Sequence, residues 1–548
     1  PAPQGELPDG AAAVSVIGFF DRGWSCNPNG TAYVQEDTAF TFTEAGELSC
    51  RIANALLDSG LSSDAKVAVL SPNDPLAWIC VLGIWRAGLT WIPANPASPT
   101  GETTQLLSGF DAEVVIFHAG LDGAVRQLQD GLTDVRHWIR FGPEDAALAG
   151  TGGAAGLAGP AAPGTTAFDQ WIAAQPPTRP AVNASPEDVV SLAPTGGTTG
   201  LPKGVMNTNR SLSAFVTHLM MAAHYGSEDA VVNLAAAPMT HTAGLLSLAA
   251  TARGGTVVVL PKASPHAVLD AIEKYTVTDL FLPPTVIYRL LEVLKEQPRD
   301  LSSLHYLIYG AAPMSVEKLR QALTAIGPVM MELYGQMEAP ASVAFLRPDE
   351  HFVAGEIAPD SRLSSCGRPY PLVEVEIRDD DGRALPAGVP GEICVRGDLV
   401  MKGYYKNPEQ TAQTLREGWL HTGDIGVFDD EGYLHLTDRR RDLIISGGFN
   451  VYPSEVEQVI WGHPAVRDCA VVGAPHPDWG EAVTAVVELN EGCTLTEAEV
   501  IALCKQELGS IRAPKAVHLV PALPRSVNGK VLKKNIRETF WRNEKSKI

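Results

Sequence analysis

Residues Ser191–Ser211 read SLAPTGGTTGLPKGVMNTNRS, and the rest of the chain is interpreted around them. The apolar run Val189–Ala193 predicts a buried strand ending at Pro194. Thr195, Gly196, Gly197, Thr198, Thr199 and Gly200 follow, a mixture of glycines and hydroxyls without bulk. Such a loop lets backbone N–H groups and hydroxyls close around phosphate oxygens, and Lys203 adds a positive charge. It is not a Walker A loop, which needs Gly-Lys-Ser/Thr opening a helix, because Pro202 and Gly204 bracket this lysine. An ordinary turn needs only about two to four such residues, so the length of the run favours a phosphate site.

At 548 residues the chain exceeds what one hydrophobic core usually supports, and at least two domains are expected. With 45% hydrophobic and 19% charged residues it has the material of a globular protein with a substantial core. The net charge of -21 argues against nucleic acid or an anionic membrane surface as a general partner. An acidic protein that binds a polyanion must concentrate its few cations at the site. The eight cysteines are dispersed, with no C-x-x-C pair, so they read as reduced thiols and not as a disulfide frame or zinc site. No apolar run approaches the ~20 residues of a membrane span. The opening PAPQGELPDG lacks the basic and apolar regions of a signal peptide, so a cytoplasmic location is expected.

Before the loop, KVAVLSPND, TWIPANP and AEVVIFHAG read as strands and PLAWICVLGIWRAG as a helix. After it, GTVVVLPKA, VTDLFLPP and LHYLIYGAAP read as strands, alternating with helices over PHAVLDAIEKY, TVIYRLLEVLKEQ and SVEKLRQALTAIG. That alternation predicts parallel βαβ units, whose ligands sit beyond the carboxyl ends of the strands. Pro194–Gly200 and Gly310–Ala312 would then face one crevice, joined by Tyr334–Glu338. Residues 142–185, rich in Gly, Ala and Pro, read as a surface connection. The G-x-G-x-x-A match at Gly150–Ala155 is set aside because no strand precedes it. From Leu372 the alternating VEVEIRDDDGRALPAGVPGEICVRG predicts a hairpin or small barrel. After Arg439, two helical and two strand patterns suffice for a small α+β domain of about 110 residues.

The loop resembles the signature loop of the adenylate-forming superfamily, which comprises acyl- and aryl-CoA synthetases, peptide-synthetase adenylation domains and luciferases. Further motifs follow in family order as far as Lys530. Tyr334, Gly335 and Glu338 match the family's Tyr-Gly-x-Thr-Glu, whose glutamate binds magnesium; Met337 replaces the threonine that bonds the nucleotide. His421–Glu457 is the most specific long match. There the resemblance implies that Asp424, expected at a strand end, and Arg439 hold the ribose. It makes Arg441 the inter-domain hinge, and assigns Ser446, Gly447 and Gly448 to the thiol channel. The Pro-x-x-x-x-Gly-Lys pattern from Pro524 makes Lys530 the lysine that reaches the reacting carboxylate and α-phosphate. His241 would border and gate the acyl pocket, where Thr242, Ala243, Gly244, Gly310, Ala311 and Ala312 leave space for a bulky acid.

The fold expected is α/β. Residues 1–440 form a large adenylation domain of βαβ subdomains with a β-barrel-like part, and residues 441–548 a mobile α+β domain. The function implied is that of an acyl- or aryl-CoA ligase using ATP with Mg²⁺ and coenzyme A on an aromatic or medium-sized aliphatic acid. An enzyme loading a carrier-protein phosphopantetheine is the alternative. A luciferase-like oxygenase shares the fold, whereas a non-catalytic nucleotide sensor would lack Lys530 or Glu338. No G-x-S-x-G or H-E-x-x-H hydrolase signature is present. Homo-oligomer formation is left open.

Overall fold

The computed structural model describes residues 15–142, 161–195, 202–240, 242–439, 442–477, 479–525 and 531–545. Two large twisted sheets carry most of the chain before residue 372. The first joins parallel strands Lys66–Leu70, Thr90–Pro93, Ala112–His118, His137–Phe141, Thr166–Ala167 and Val189–Thr195. The second has Thr31–Gln35, Val232–Ala235, Thr256–Val259, Asp279–Phe281, Tyr306–Gly310 and Met330–Gln336 as its parallel core. The α/β expectation holds for both.

The helix Pro75–Arg86 shows how the sequence builds the centre. Asp74 caps its start by accepting from Leu76 N, Pro75 occupies the first turn, and every residue is buried. A helix apolar on all sides belongs between layers. Its Trp78 and Trp85 lie edge-to-face 5.4 Å apart, and each meets Trp91 of the neighbouring strand edge-to-face at 5.9 Å.

The loop on which the reading began joins two antiparallel strands. Its first strand continues through Pro194 to Thr195 and does not stop at the proline. It then pairs with Lys203–Thr208, Thr195 opposite Lys203.

The predicted alternation after Leu372 forms a five-stranded antiparallel sheet of Val373–Arg378, Gly391–Gly397, Leu415–Arg416, Trp419–Phe428 and Leu434–Arg439. The last sheet gathers Ile444–Ser446, Phe449–Val451, Val466–His476, Gly480–Leu489 and Ala516–Val520 against the helices Pro453–Trp461 and Glu497–Arg512. The Gln458 amide spans to the other part of the molecule. Its Nε2 donates to Met314 O at 3.1 Å, and its Oε1 accepts from Val316 N at 3.4 Å. Among the described residues, no helix is long and apolar enough to cross a membrane.

Candidate active site

Sheet pairing brings three separate segments together at Lys203, on the strand that follows the signature loop in the chain. Strand Gly403–Tyr404 pairs beside Lys203–Thr208, with Tyr404 opposite Val205. The Lys203 ammonium lies 5.0 Å from the centre of the Tyr404 ring. The Tyr404 hydroxyl donates to Glu338 Oε1 at 2.7 Å. Burial, and then the Glu338 charge, raise the pKa of this phenol and keep it a donor. Glu338 stands in the tight turn between Met330–Gln336 and the antiparallel strand Ala339–Leu346, and its carbonyl accepts from Met401 N at 2.8 Å. The turn needs glycine before it, because a Cβ at Gly335 would lie 2.6 Å from the Ala341 backbone. Met337 in the turn packs half-buried against the main core.

Asp424 does not lie at a strand end, contrary to expectation. It sits inside the ten-residue strand Trp419–Phe428, where the pairing with Gly391–Gly397 slips: Cys394 faces His421, but Glu392 faces Ile425. Thr422, Gly423 and Asp424 bulge out opposite Ile393, and Gly423 takes φ +72°. Bulges re-aim side chains next to functional sites, and here Asp424 is turned inward, 4% exposed. Its Oδ2 accepts from the Tyr334 hydroxyl at 2.8 Å, and its Oδ1 lies 3.2 Å from Arg439 Nε. A carboxylate has about four acceptor positions, so capacity remains for further donors.

At the end of strand Tyr306–Gly310, a Cβ at Gly310 would come within 2.4 Å of Leu333 O. Ala311 has φ +64°, an uncommon conformation for a side-chain-bearing residue and one that concentrates at functional positions. Ala312 follows in the same turn. Helix Thr242–Thr251 opens with Thr242, and Ala243 is buried. A Cβ at Gly244 would strike Met239 O at 2.2 Å and Trp78 at 2.3 Å, so the missing side chain here accommodates Trp78. Ser446 is buried and pairs with Phe449 around Gly447 and Gly448, whose φ values of +58° and +83° make a two-residue turn of type I′. The flanking Ile445 and Phe449 are 55% and 56% exposed. Gly196, Gly197, Thr198, Thr199, Gly200, His241, Arg441 and Lys530, and the set-aside Gly150–Ala155 match, lie outside the described residues.

Two contributors escaped the reading of the sequence. Tyr404 sits in MKGYYKNP, where only the small-then-aromatic Gly403-Tyr404 pair hinted at close packing. Glu392 is 29 residues from His421 in the chain and meets it only through antiparallel pairing.

The AMP-binding enzyme model matches residues 20–405, and the AMP-binding enzyme C-terminal domain matches residues 455–530. The chain belongs to the AMP-binding enzyme family. This places it among the adenylate-forming enzymes of the acyl- and aryl-CoA synthetase type. It is 39% identical over 374 residues to a medium/long-chain-fatty-acid–CoA ligase of Mycobacterium tuberculosis, across 67% of this chain and 64% of that one. A feruloyl-CoA synthase of an Amycolatopsis species is 34% identical over 518 residues, 94% of this chain and 96% of the relative. Among solved structures, an amide bond synthetase from Marinactinospora thermotolerans superposes with a TM-score of 0.83 at 33% identity, over 96% of this chain and 100% of that one.

The family's threonine position gives a local prediction. Met337→Thr is expected to preserve or raise the rate of adenylation, since a new hydrogen bond to a charged group contributes at most about 1.5–3 kcal/mol. Pyrophosphate exchange measures it. Loss of activity in a folded variant would assign the thioether a role of its own.

Proposed function

We propose that the protein is an AMP-forming acid–CoA ligase acting on an aromatic or medium-sized aliphatic carboxylic acid. The observation that carries this is the gathering of Lys203, Tyr404 and Glu338 at the strand that follows the signature loop in the chain, with Asp424 held between Tyr334 and Arg439. One set suits a triphosphate and the other a ribose.

Glu338 fits Mg²⁺: Oε1 accepts a hydrogen bond from the Tyr404 hydroxyl, and among the described residues Oε2 has no hydrogen bond, so one carboxylate oxygen would be available to a metal of the kind that takes few protein oxygens. When bound, Mg²⁺ supplies positive charge against the triphosphate and the departing pyrophosphate. The chain's own residues do the rest. Lys203 and the loop N–H groups would hold the phosphate oxygens in line, while Asp424 would fix the ribose and hence the α-phosphorus. An oxygen of the acid attacks that phosphorus, the bond to the bridging oxygen breaks, and pyrophosphate leaves. Lys530 would offset the repulsion between the two approaching anions. The thiol then attacks the acyl carbon, losing its proton, and AMP leaves with the electron pair of the C–O bond.

CoA is favoured over a carrier protein by a second feature. A cavity of about 320 Å³ in the C-terminal sheet is lined by His476, Trp479, Lys515 and His518. The Trp479 ring is 39% exposed and stacks on His476 at 4.1 Å, and Lys515 Nζ lies 5.6 Å from its centre. The Lys515 ammonium is engaged by the carbonyls of Ser510, Ile511 and Ala513, so it is the exposed indole that suits a purine ring. The test is a panel of carboxylic acids scored by pyrophosphate release. The active acid is then offered CoA, pantetheine, a phosphopantetheinylated carrier and a simple amine. Preference for CoA supports the reading; preference for the carrier or the amine overturns it. Trp479→Ala is expected to raise KM for CoA roughly tenfold, with KM for ATP unchanged.

A further inference from the structure

The bulge that aims Asp424 is fastened by a buried side chain on the adjoining strand. Glu392 is 8% exposed. Its Oε1 accepts from Gly423 N at 3.0 Å, a donor that the slipped pairing would otherwise leave unpaired. Its Oε2 lies 2.8 Å from His421 Nδ1, at the start of the bulge. Thr422 completes the arrangement: its hydroxyl donates to Ile393 O at 2.7 Å and accepts from Asp424 N at 3.1 Å. Every residue from His421 to Asp424 is therefore tied to the segment 392–393 or to its neighbour.

We propose that Glu392 is a positioning residue that holds the His421–Asp424 bulge in the one shape that presents the Asp424 carboxylate to the nucleotide ribose. The proposal rests on the ribose reading of Asp424. Glu392, Cys394 and His421 also bring a carboxylate oxygen, a sulfur and a ring nitrogen within 4.8 Å of one another. Two contacts and the state of the thiol favour a brace over a metal site. His421 Nδ1 is already engaged with the carboxylate, the Arg416 guanidinium lies 3.6 Å from the same Glu392 oxygen, and burial pushes the Cys394 thiol up to about 12.

The experiment compares kcat/KM of the adenylation half-reaction for ATP and for 2′,3′-dideoxy-ATP. Wild type should prefer ATP, and Asp424→Asn should lose most of that preference. Glu392→Ala should lower the preference about tenfold, the scale of a weakened hydrogen bond to a charged group, by raising KM for ATP with little change in KM for the acid. Glu392→Gln keeps an acceptor for Gly423 N, and its amide can donate to the other tautomer of His421, so it should restore the preference to within about threefold. A merely structural defect would slow both nucleotides alike and leave their ratio unchanged; that outcome in Glu392→Ala overturns the proposal. If Glu392→Ala does not fold, Thr422→Val decides. A fall in the ratio of about threefold or more supports the brace, and no change overturns it. If wild type and Asp424→Asn treat the two nucleotides alike, the ribose reading itself is wrong. If only Asp424→Asn changes the ratio, the brace alone is wrong.

Discussion

Glu338→Gln is expected to lower acyl-adenylate formation by roughly 100- to 1,000-fold, the scale seen when one preorganised electrostatic group is removed from a reacting site. The substitution is nearly isosteric, and an amide oxygen still accepts from the Tyr404 hydroxyl, which lies 2.7 Å from Oε1. Gly335, Ala341 and the carbonyl of residue 338 keep the turn as it is. What disappears is one negative charge on the side chain. Thermal stability should therefore stay within a few degrees of wild type, since a neutral acceptor satisfies the same donor. The Mg²⁺ concentration needed for half-maximal pyrophosphate exchange should rise at the same time, because the carboxylate charge that would hold the metal is gone. Measuring rate against free Mg²⁺ separates the two explanations of a slow variant. A lower plateau with unchanged Mg²⁺ dependence would mean that Glu338 shapes the turn and does not hold the ion.

The parts of this molecule that were legible in its sequence are those that depend on near neighbours. Helix Pro75–Arg86 announces itself with Asp-Pro and an uninterrupted apolar face, and the strand before Gly310 with an apolar run ending in small residues. The site segments were legible as strings, because Thr195–Lys203, Tyr334–Glu338 and His421–Asp424 each carry their chemistry within a few residues. What the sequence withheld is registration. Nothing local says that Thr31–Gln35 and Thr38–Thr41 close the far edge of the second sheet, with Tyr33 of the first paired to Val257, 224 residues away. Nothing local says that the pairing slips between Glu392 and Cys394. That slip moves Asp424 from an ordinary strand position into a bulge and gives Glu392 a donor to satisfy. Tyr404 was missed for the same reason: its hydroxyl meets Glu338 only because a two-residue strand pairs beside Val205. Gly244 is the converse case, since a small residue reads as room, whereas its neighbours Trp78 and Met239 fill it.

Lys530→Ala and Gly448→Leu are expected to damage different half-reactions, and the anchoring of their surroundings gives the reason. Ser446, at the base of the Gly447–Gly448 turn, pairs with Gly480 at one end of strand Gly480–Leu489. Val531, next in the chain after Lys530, bridges to Arg525, and the Arg525 guanidinium reaches Asp468 at 2.7 Å and Glu488 at 3.3 Å. Glu488 is at the other end of the same strand. At about 3.3 Å per residue the two anchors are roughly 26 Å apart on one stiff element. The two groups are therefore expected to serve one acyl carbon in turn, by rotation of the C-terminal unit near Arg441, a hinge motion. Lysine is useful while two anions approach each other, and a bare backbone is useful when the pantetheine arm must pass close to it. Lys530→Ala should lower acyl-AMP formation at least about 100-fold yet convert supplied acyl-AMP and CoA to thioester at near wild-type rate. Gly448→Leu should do the reverse. A Cβ at Gly448 meets nothing within 4 Å, so the fold tolerates the side chain apart from local strain of about 1–3 kcal/mol at φ +83°. Leucine would then project from an exposed turn and obstruct the thiol when that turn swings in. Separate assays of the two half-reactions decide the matter. Equal loss of both steps in both folded variants would show that the two groups act in a single arrangement and that no rotation is required.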